Sequence, residues 1–342
     1  MTRYFIYGAG AVGGVIAARL QQHGQEVVAI ARGAHLDAMR ARGLTLQTPD
    51  EDVTLPVAAA GHPSEIDFRD GDVALLTMKT QHTERALDDL RAAAGDAVPV
   101  VCAQNGVENE RLALRRFARV YGMLVILPAT YLEPGIVQIH AAANGILDCG
   151  RYPAGDDALA AEIAAGLAAA GFSAHPVADI MRWKYGKLLS NLGNALQAAI
   201  GLGVFSFDAA RDAGVGDVLA RLRDEAVACF RAAGVAWASD EEMDARRQPH
   251  GPSGDALRLR PIGGKPRGGG STWQSVARGA GSVETDFLNG EIVLLGRLYG
   301  IPTPANAALQ RVAQRLVRER LTPGSIAPDE LRREIAAEAA SA

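Results

Sequence analysis

Tyr4-Phe5-Ile6-Tyr7-Gly8-Ala9-Gly10-Ala11-Val12-Gly13 is the stretch on which the fold turns. Four strand-forming residues run into a Gly-x-Gly-x-x-Gly loop, and Val12 to His23 carries a helical pattern that stops at Gly24. Alone, such a loop is a weak signal. Between a strand and a helix, inside a strand–helix–strand unit, it marks dinucleotide binding. Gly8 permits the tight turn, Gly10 lets a pyrophosphate approach the backbone, and Gly13 lets helix and strand pack closely. The helix N-terminus offers unpaired N–H groups and partial positive charge to phosphate. Gly8, Ala9, Gly10, Ala11, Val12 and Gly13 are therefore the expected cradle. The competing structural reading is a glycine turn that holds nothing.

The same rhythm continues outward. Glu26 to Ala31, Val73 to Met78 and Val98 to Cys102 read as strands, with a helix from about His82 to Ala94. Strands alternating with helices predict a parallel α/β sheet. Short runs between Gly122 and Gly150, split at Pro134-Gly135 and Asn144-Gly145, predict hairpins that finish that sheet. After about Asp179 the pattern becomes helical, over Arg182–Ile200, Asp212–Ala233, Glu284–Tyr299 and Pro304–Arg320. The expected division is an α/β domain over 1–180 and an all-α domain over 181–342. Arg246 to Gly270, rich in glycine, proline and arginine, stands apart as a long loop of the kind that is functional or disordered.

Composition restricts the function. Among 342 residues, 48% are hydrophobic and 22% charged, which suits a folded core, and the length suits two domains. A net charge of −4 and no basic stripe with aromatics argue against a nucleic-acid partner. No apolar run is long enough to span a membrane. Arg3 followed by apolar residues imitates a secretion signal, but the glycines from Gly8 onward interrupt it. Three cysteines without CxxC spacing fit a reducing, cytoplasmic setting. The seven histidines show no metal-ligand spacing, so no metal is expected, and no GxSxG hydrolase motif occurs. Only four of the 35 basic residues are lysines, so a chemistry that needs a titratable amine has few places to sit.

Two further stretches carry chemistry. The second strand ends in Ala31-Arg32-Gly33, with no acid before Asp37. An acid there would accept from a ribose 2′-OH, whereas Arg32 matches a 2′-phosphate, so NADP(H) is expected. In Trp183 to Leu196, Lys187, Asn191 and Asn194 fall at about 0°, 40° and −20° on a helical wheel. That polar stripe is bland if solvated. Facing a cleft, it would hydrogen-bond a polar substrate, and a partly desolvated lysine would serve as proton donor. Glu284, Asp286 and Thr272 read equally well as ordinary helix starts.

Taken together these residues resemble the ketopantoate reductase (2-dehydropantoate 2-reductase) family. The likeness rests on Gly8 to Gly13, Thr77-Met78-Lys79-Thr80, Gln104-Asn105-Gly106, Asn144-Gly145, Lys187-Leu188-Leu189-Ser190-Asn191, Val283 to Gly290, and Gly300-Ile301-Pro302-Thr303-Pro304. The resemblance implies a Rossmann domain followed by a helical domain of the 6-phosphogluconate dehydrogenase C-terminal type, with the active site in the cleft between them. It implies NADPH-dependent reduction of a small-molecule 2-oxo acid in pantothenate biosynthesis. Lys187 would be the general acid. Arg32, Lys79, Asn105 and Glu284 would meet the cofactor, and Asn105, Asn191, Asn194, Thr272 and Glu284 the substrate. A homodimer is a further expectation from the apolar helical domain.

The chain departs from the family pattern in three places. Eight residues after the lysine stands Ala195 rather than asparagine, with Asn194 beside it. Thr272 takes the place of a serine. The Arg246–Gly270 stretch is longer than the family's connection and runs into Thr272. We expect that stretch to cover the cleft and its arginines to select an anionic substrate. Two alternatives stay open at this point: a reductase or dehydrogenase for a different oxo or hydroxy acid, and a non-catalytic nucleotide-binding regulatory protein.

Overall fold

The computed structural model describes residues 2–141, 144–203, 206–248, 259–265 and 267–341. They form two compact units, Met1–Lys184 with Asp240–Arg267, and Tyr185–Ser239 with Gly268–Ala342. The chain thus crosses at 184/185 rather than once for all near 180, and Asp240–Arg267 groups with the first unit. The sequence signals that second crossing only as a change of composition.

In chain order the first unit contains β1 (Arg3–Tyr7), α1 (Ala11–Gln22), β2 (Glu26–Ile30), α2 (Gly33–Arg42), β3 (Leu44–Gln47), β4 (Asp52–Leu55), β5 (Ala58–Ala60), β6 (Asp72–Leu76), α3 (Thr83–Ala94), β7 (Val100–Cys102), α4 (Asn109–Leu114), β8 (Val120–Ile126), β9 (Ala129–Glu133), β10 (Ile136–Ile139), β11 (Ile146–Arg151) and α5 (Ala158–Ala169). A seven-stranded sheet runs β11-β8-β7-β6-β1-β2-β5. Every neighbouring pair is parallel except β11, which closes the edge antiparallel to β8. The order reverses direction at β1, which places a ligand crevice outside the carboxyl ends of β1 and β6.

Because the strands are covered on both sides, they read as apolar runs rather than alternations. On one face Tyr4, Ile6 and Leu75 pack with Val15, Ile16 and Leu20 of α1 and Ile163 and Leu167 of α5. On the other, Phe5, Leu76 and Val100 pack with Leu87 and Leu90 of α3 and Phe117.

The hairpin region differs from expectation. Only β8 and β11 finish the main sheet. β9 and β10 join β3 and β4 in a second, four-stranded sheet ordered β4-β3-β10-β9. Its inward side chains Leu44, Leu46, Val137 and Ile139 are fully buried, and Val137 lies against Gly14 of α1. β3 and β4 were missed because four-residue strands with polar alternates leave little periodicity to read.

α6 (Ile180–Asn191) begins in the first unit and ends in the second. There follow α7 (Gly193–Ile200), α8 (Phe207–Asp212), α9 (Gly216–Ala233), α10 (Asp240–Arg247), α11 (Ser271–Ala277), α12 (Asn289–Tyr299), α13 (Pro304–Arg318) and α14 (Pro328–Ser341). The single helix expected over Arg182–Ile200 is therefore two, broken at Leu192. There, Asn289 Nδ2 donates to the Leu192 carbonyl at 3.2 Å, and a side chain inserted into the ladder is a recognised cause of such a break. Glu284 does not open α12. It precedes a 3₁₀ turn, Thr285–Phe287, and α12 starts at Asn289.

The structure describes part of the long loop. α10 covers its start, and Arg246 makes a bidentate pair with Asp148 of β11 at 2.6 and 2.7 Å. A tight turn closes between Ile262 and Lys265. Residues 249–258, including Arg258 and part of the stretch expected to cover a cleft, lie outside the described residues. No helix among the described residues is long and apolar enough to cross a membrane.

Candidate active site

Three strand ends of the first unit build the nucleotide side. Gly8 follows β1 with φ +106°, a conformation that glycine adopts without penalty, and a Cβ there would lie 2.8 Å from the Met78 backbone nitrogen. At Gly13 a Cβ would meet Thr77 Oγ1 at 2.3 Å and the Gly8 carbonyl at 2.4 Å. Thr77 Oγ1 itself donates to the Gly8 carbonyl at 2.8 Å, so the loop and the end of β6 are locked together. Gly10 is different: a Cβ there meets nothing within 4 Å among the described residues. It caps α1, whose first turn has no side-chain cap and no acid. Open space in front of uncapped N–H groups is what a phosphate needs, so these residues fit a dinucleotide.

This distinction gives a prediction. Gly13→Ala should cost about 1–3 kcal/mol of stability through overpacking, read by urea unfolding. Gly10→Ala, at φ −74°, should unfold like the wild type yet bind a nicotinamide dinucleotide at least tenfold more weakly, a difference of about 1.4 kcal/mol. Equal behaviour of the two variants would contradict the assignment.

His35 was not anticipated. Its Nε2 lies 2.7 Å from the Ala9 carbonyl, while the Gly135 amide donates to its Nδ1 at 2.9 Å. With Nδ1 accepting, Nε2 carries the proton and donates to the loop. Burial pushes the imidazole below its ordinary range, against the hydrogen bond to Ala9. The neutral ring thus ties the glycine loop to the β9–β10 turn. A lone histidine in α2 offers no pattern by which sequence alone would reveal this.

Arg32 caps α2, exposed, just beyond the end of β2. Burial lowers the His82 imidazole, and the positive charges of Arg32 and Lys79 lower it further. Arg32 and Lys79 therefore lend their charge to one neighbourhood, at the ends of β2 and β6 beside the loop.

Asn105 follows β7 and sits on a buried polar network. Gln104 Nε2 donates to the Met78 carbonyl at 2.9 Å and to Thr83 Oγ1 at 2.7 Å. Asn109 Nδ2 donates to the Asn105 carbonyl at 3.3 Å and to Thr80 Oγ1 at 3.2 Å. Beneath lies Lys184, which donates to the carbonyls of Gln104 at 3.0 Å and Cys102 at 3.3 Å and pairs with Glu110. Both side chains of that pair are buried. Burial pushes the Glu110 carboxyl up, against the pull of Lys184. The loop bearing Asn105 and the turn bearing Lys79 are thus held by one network.

The second unit carries the other candidates. Lys187 and Asn191 lie one turn apart on α6. Asn191 is buried, and its Nδ2 has no hydrogen-bond partner among the described residues. Beyond the break, Asn194 brings its amide oxygen to within 3.0 Å of where a Cβ on Gly270 would sit. Gly270 caps α11, its amide donates to Gln197 Oε1 at 2.7 Å, and the buried Thr272 follows two residues later. Asn194 and the start of α11 are therefore brought together, while Ala195 is core. Glu284 is half-buried ahead of the 3₁₀ turn. Asp286 is not a helix cap: it accepts from Gln310 at 2.8 Å and Gln314 at 3.0 Å and fastens that turn to α13.

Comparison with known proteins fits both halves. Residues 4–154 match the model of ketopantoate reductase PanE/ApbA, and residues 179–317 match the model of its C-terminal domain. The chain belongs to the ketopantoate reductase family. It is 30% identical, over 92% of its length and 98% of the relative's, to a Mesorhizobium japonicum protein named 2-dehydropantoate 2-reductase. A PanE/ApbA family ketopantoate reductase from Ralstonia eutropha JMP134 superposes with a TM-score of 0.77 at 30% identity, covering 94% of this chain and 99% of that one. D-mandelate dehydrogenase, solved with NADH and anilino(oxo)acetate, shares the fold with a TM-score of 0.75 at 20% identity, covering 94% of this chain and 99% of that one. The two-part architecture, a parallel α/β unit followed by a mostly helical region, is that of the family, and the chain is a nicotinamide-dependent oxidoreductase.

Proposed function

We propose that this enzyme reduces a 2-oxo acid with NADPH, 2-dehydropantoate being the first substrate to test. The observation that carries the reading is Asn191, a buried amide whose Nδ2 finds no acceptor among the described residues, one turn along α6 from Lys187. Leaving a buried donor unpaired costs about 1–3 kcal/mol, a cost that a bound polar substrate removes.

NADPH, when bound, supplies the hydride that reduces the carbonyl carbon. Gly10 and the first turn of α1 hold its pyrophosphate, and Arg32 with Lys79 receives the 2′-phosphate and ribose. Asn105, fixed through Gln104 and Asn109, orients the nicotinamide end. Lys187 hydrogen-bonds the substrate's C2 oxygen and gives it a proton as charge develops there, a contribution of about 10²–10⁴-fold. Glu284, by its negative charge, favours the protonated lysine. Asn191, Asn194 and Thr272 bind the substrate's polar groups.

The test is NADPH oxidation followed by absorbance, with 2-dehydropantoate and a panel of other oxo acids. Turnover of 2-dehydropantoate supports the reading, and turnover only of another oxo acid moves the substrate assignment. Cofactor binding without turnover of any oxo acid defeats it. In the same assay Arg32→Gln should raise the Kd for NADPH about 10–100-fold, from a charge-assisted contact of about 1.5–3 kcal/mol, and leave that for NADH unchanged.

A further inference from the structure

His35 on α2 is 7% exposed and holds two backbone groups at once. The Gly135 amide can only donate, so Nδ1 accepts with its lone pair and the proton stands on Nε2, 2.7 Å from the Ala9 carbonyl. The ring is pinned in that pose. Tyr131 of β9 packs its ring against it, with the centroids 4.6 Å apart. The Gly135 carbonyl accepts from the Thr45 amide of β3 at 2.8 Å, and a Cβ on Gly135 would lie 3.0 Å from Ala38 Cβ of α2. The Pro134-Gly135 turn is therefore itself fixed, between β3 and α2.

The group that His35 grips is the last peptide before α1. That peptide is tied at both ends. Its N–H, on Gly10, donates to the Gly8 carbonyl at 2.7 Å, and its carbonyl, on Ala9, faces His35. A trans peptide is planar, so two ties fix its plane and with it the direction in which the chain enters α1. Gly10 has no side chain to resist rotation of that plane, and glycine reaches most backbone conformations at little cost. The Ala9 carbonyl also lies 3.1 Å from where a Cβ on Gly14 would sit, on the flank of α1 that packs against Val137 of β10. The first-turn N–H groups of α1 have no side-chain cap and are the ones left for an anion. Their aim depends on the peptide plane that precedes them.

We propose that His35 is a positioning residue for the cofactor: it holds the Ala9–Gly10 peptide in the plane that aims the first turn of α1 at the pyrophosphate, and the Pro134-Gly135 turn of the second sheet anchors it. This rests on the reading that the glycine loop and the start of α1 hold the pyrophosphate. It makes the second sheet part of the cofactor machinery, although no residue of that sheet need touch the ligand.

The test uses three variants that divide the two bonds of the ring. In His35→Gln the side-chain amide reaches the Nε2 position and donates to Ala9. In His35→Asn, one methylene shorter, the amide oxygen reaches only the Nδ1 position and accepts from Gly135. His35→Leu loses both bonds. Kd is read by fluorescence titration well below the Tm of every variant, so that unfolding does not enter. Kd for NADPH should rise about tenfold in His35→Asn and His35→Leu, the size expected for one buried hydrogen bond, and stay within threefold of wild type in His35→Gln. The pyrophosphate is common to both dinucleotides, so Kd for NADH should rise by the same factor. His35→Asn binding as well as His35→Gln, or a Kd within twofold of wild type in His35→Leu whatever its Tm, would leave His35 a packing residue and overturn the proposal. A rise for NADPH alone would place the effect at the 2′-phosphate and also overturn it. Gly10→Ala, titrated alongside, separates the two ways of failing. If it binds both dinucleotides like wild type, the loop is not the cradle and the reading beneath the proposal falls with it. If it binds them weakly while His35→Leu does not, the role of His35 alone is wrong.

Discussion

Lys187→Ala should lower kcat for oxo-acid reduction by about 10²–10⁴-fold while NADPH still binds, because a positioned proton donor contributes that much. The reason lies in the charge that appears on the C2 oxygen as hydride arrives. An ammonium at hydrogen-bond distance stabilises that charge and then neutralises it. Lys187→Arg should not rescue the rate. A guanidinium keeps the charge but holds its proton too tightly, and its planar fork is wider than an ammonium. The measurement is kcat at saturating substrate for each variant, with cofactor binding followed by fluorescence. A kcat within tenfold of wild type in Lys187→Ala would remove the lysine from the chemistry. Loss of cofactor binding in the same variant would give it a different task.

The largest stability effect is expected at the other lysine of the same helix. Lys184→Met leaves Glu110 buried, with its carboxyl facing no cation and two carbonyls, those of Cys102 and Gln104, stripped of a donor. Breaking a buried pair from one side typically costs about 3–5 kcal/mol. The double variant Lys184→Met with Glu110→Leu removes both charges and should recover most of that loss, because the pair as a whole repays its desolvation only in part. Urea unfolding of the two variants and the wild type reads both numbers. A single-variant loss below about 1 kcal/mol would mean that water reaches the pair. Since the same ammonium holds the Gln104 carbonyl next to Asn105, the double variant should also show weakened cofactor binding despite its recovered stability.

The parts of the fold that could be read from sequence are those whose reasons are local. Gly8, Gly10 and Gly13 each answer a separate steric demand, and the buried strands Phe5-Ile6 and Val73 to Leu76 are apolar without interruption. What escaped was set by tertiary partners. The break at Leu192 depends on Asn289, nearly a hundred residues later, so a helical wheel drawn through Asn191 and Asn194 could not include it. The second sheet joins β3 to β10 across a similar span, and nothing in either segment names the other. At the site, the motif residues were legible as chemical types. The supporting set of His35, Gln104, Asn109, Lys184 and Glu110 was not, because their function lies in hydrogen bonds between segments far apart in the chain.

The break in the lysine helix has a consequence for how the enzyme changes over generations. Asn289 reaches Leu192 because Asn306 Oδ1 holds it at 3.0 Å, and Asn306 is fixed by the Leu222 carbonyl at 3.1 Å and by Glu225, which also caps α13. The orientation of Asn194 is therefore inherited from side chains on α9, α12 and α13 that touch no ligand. Drift at those remote positions re-aims an amide without altering any residue that lines a pocket, so descendants with identical linings can diverge in which acid they prefer.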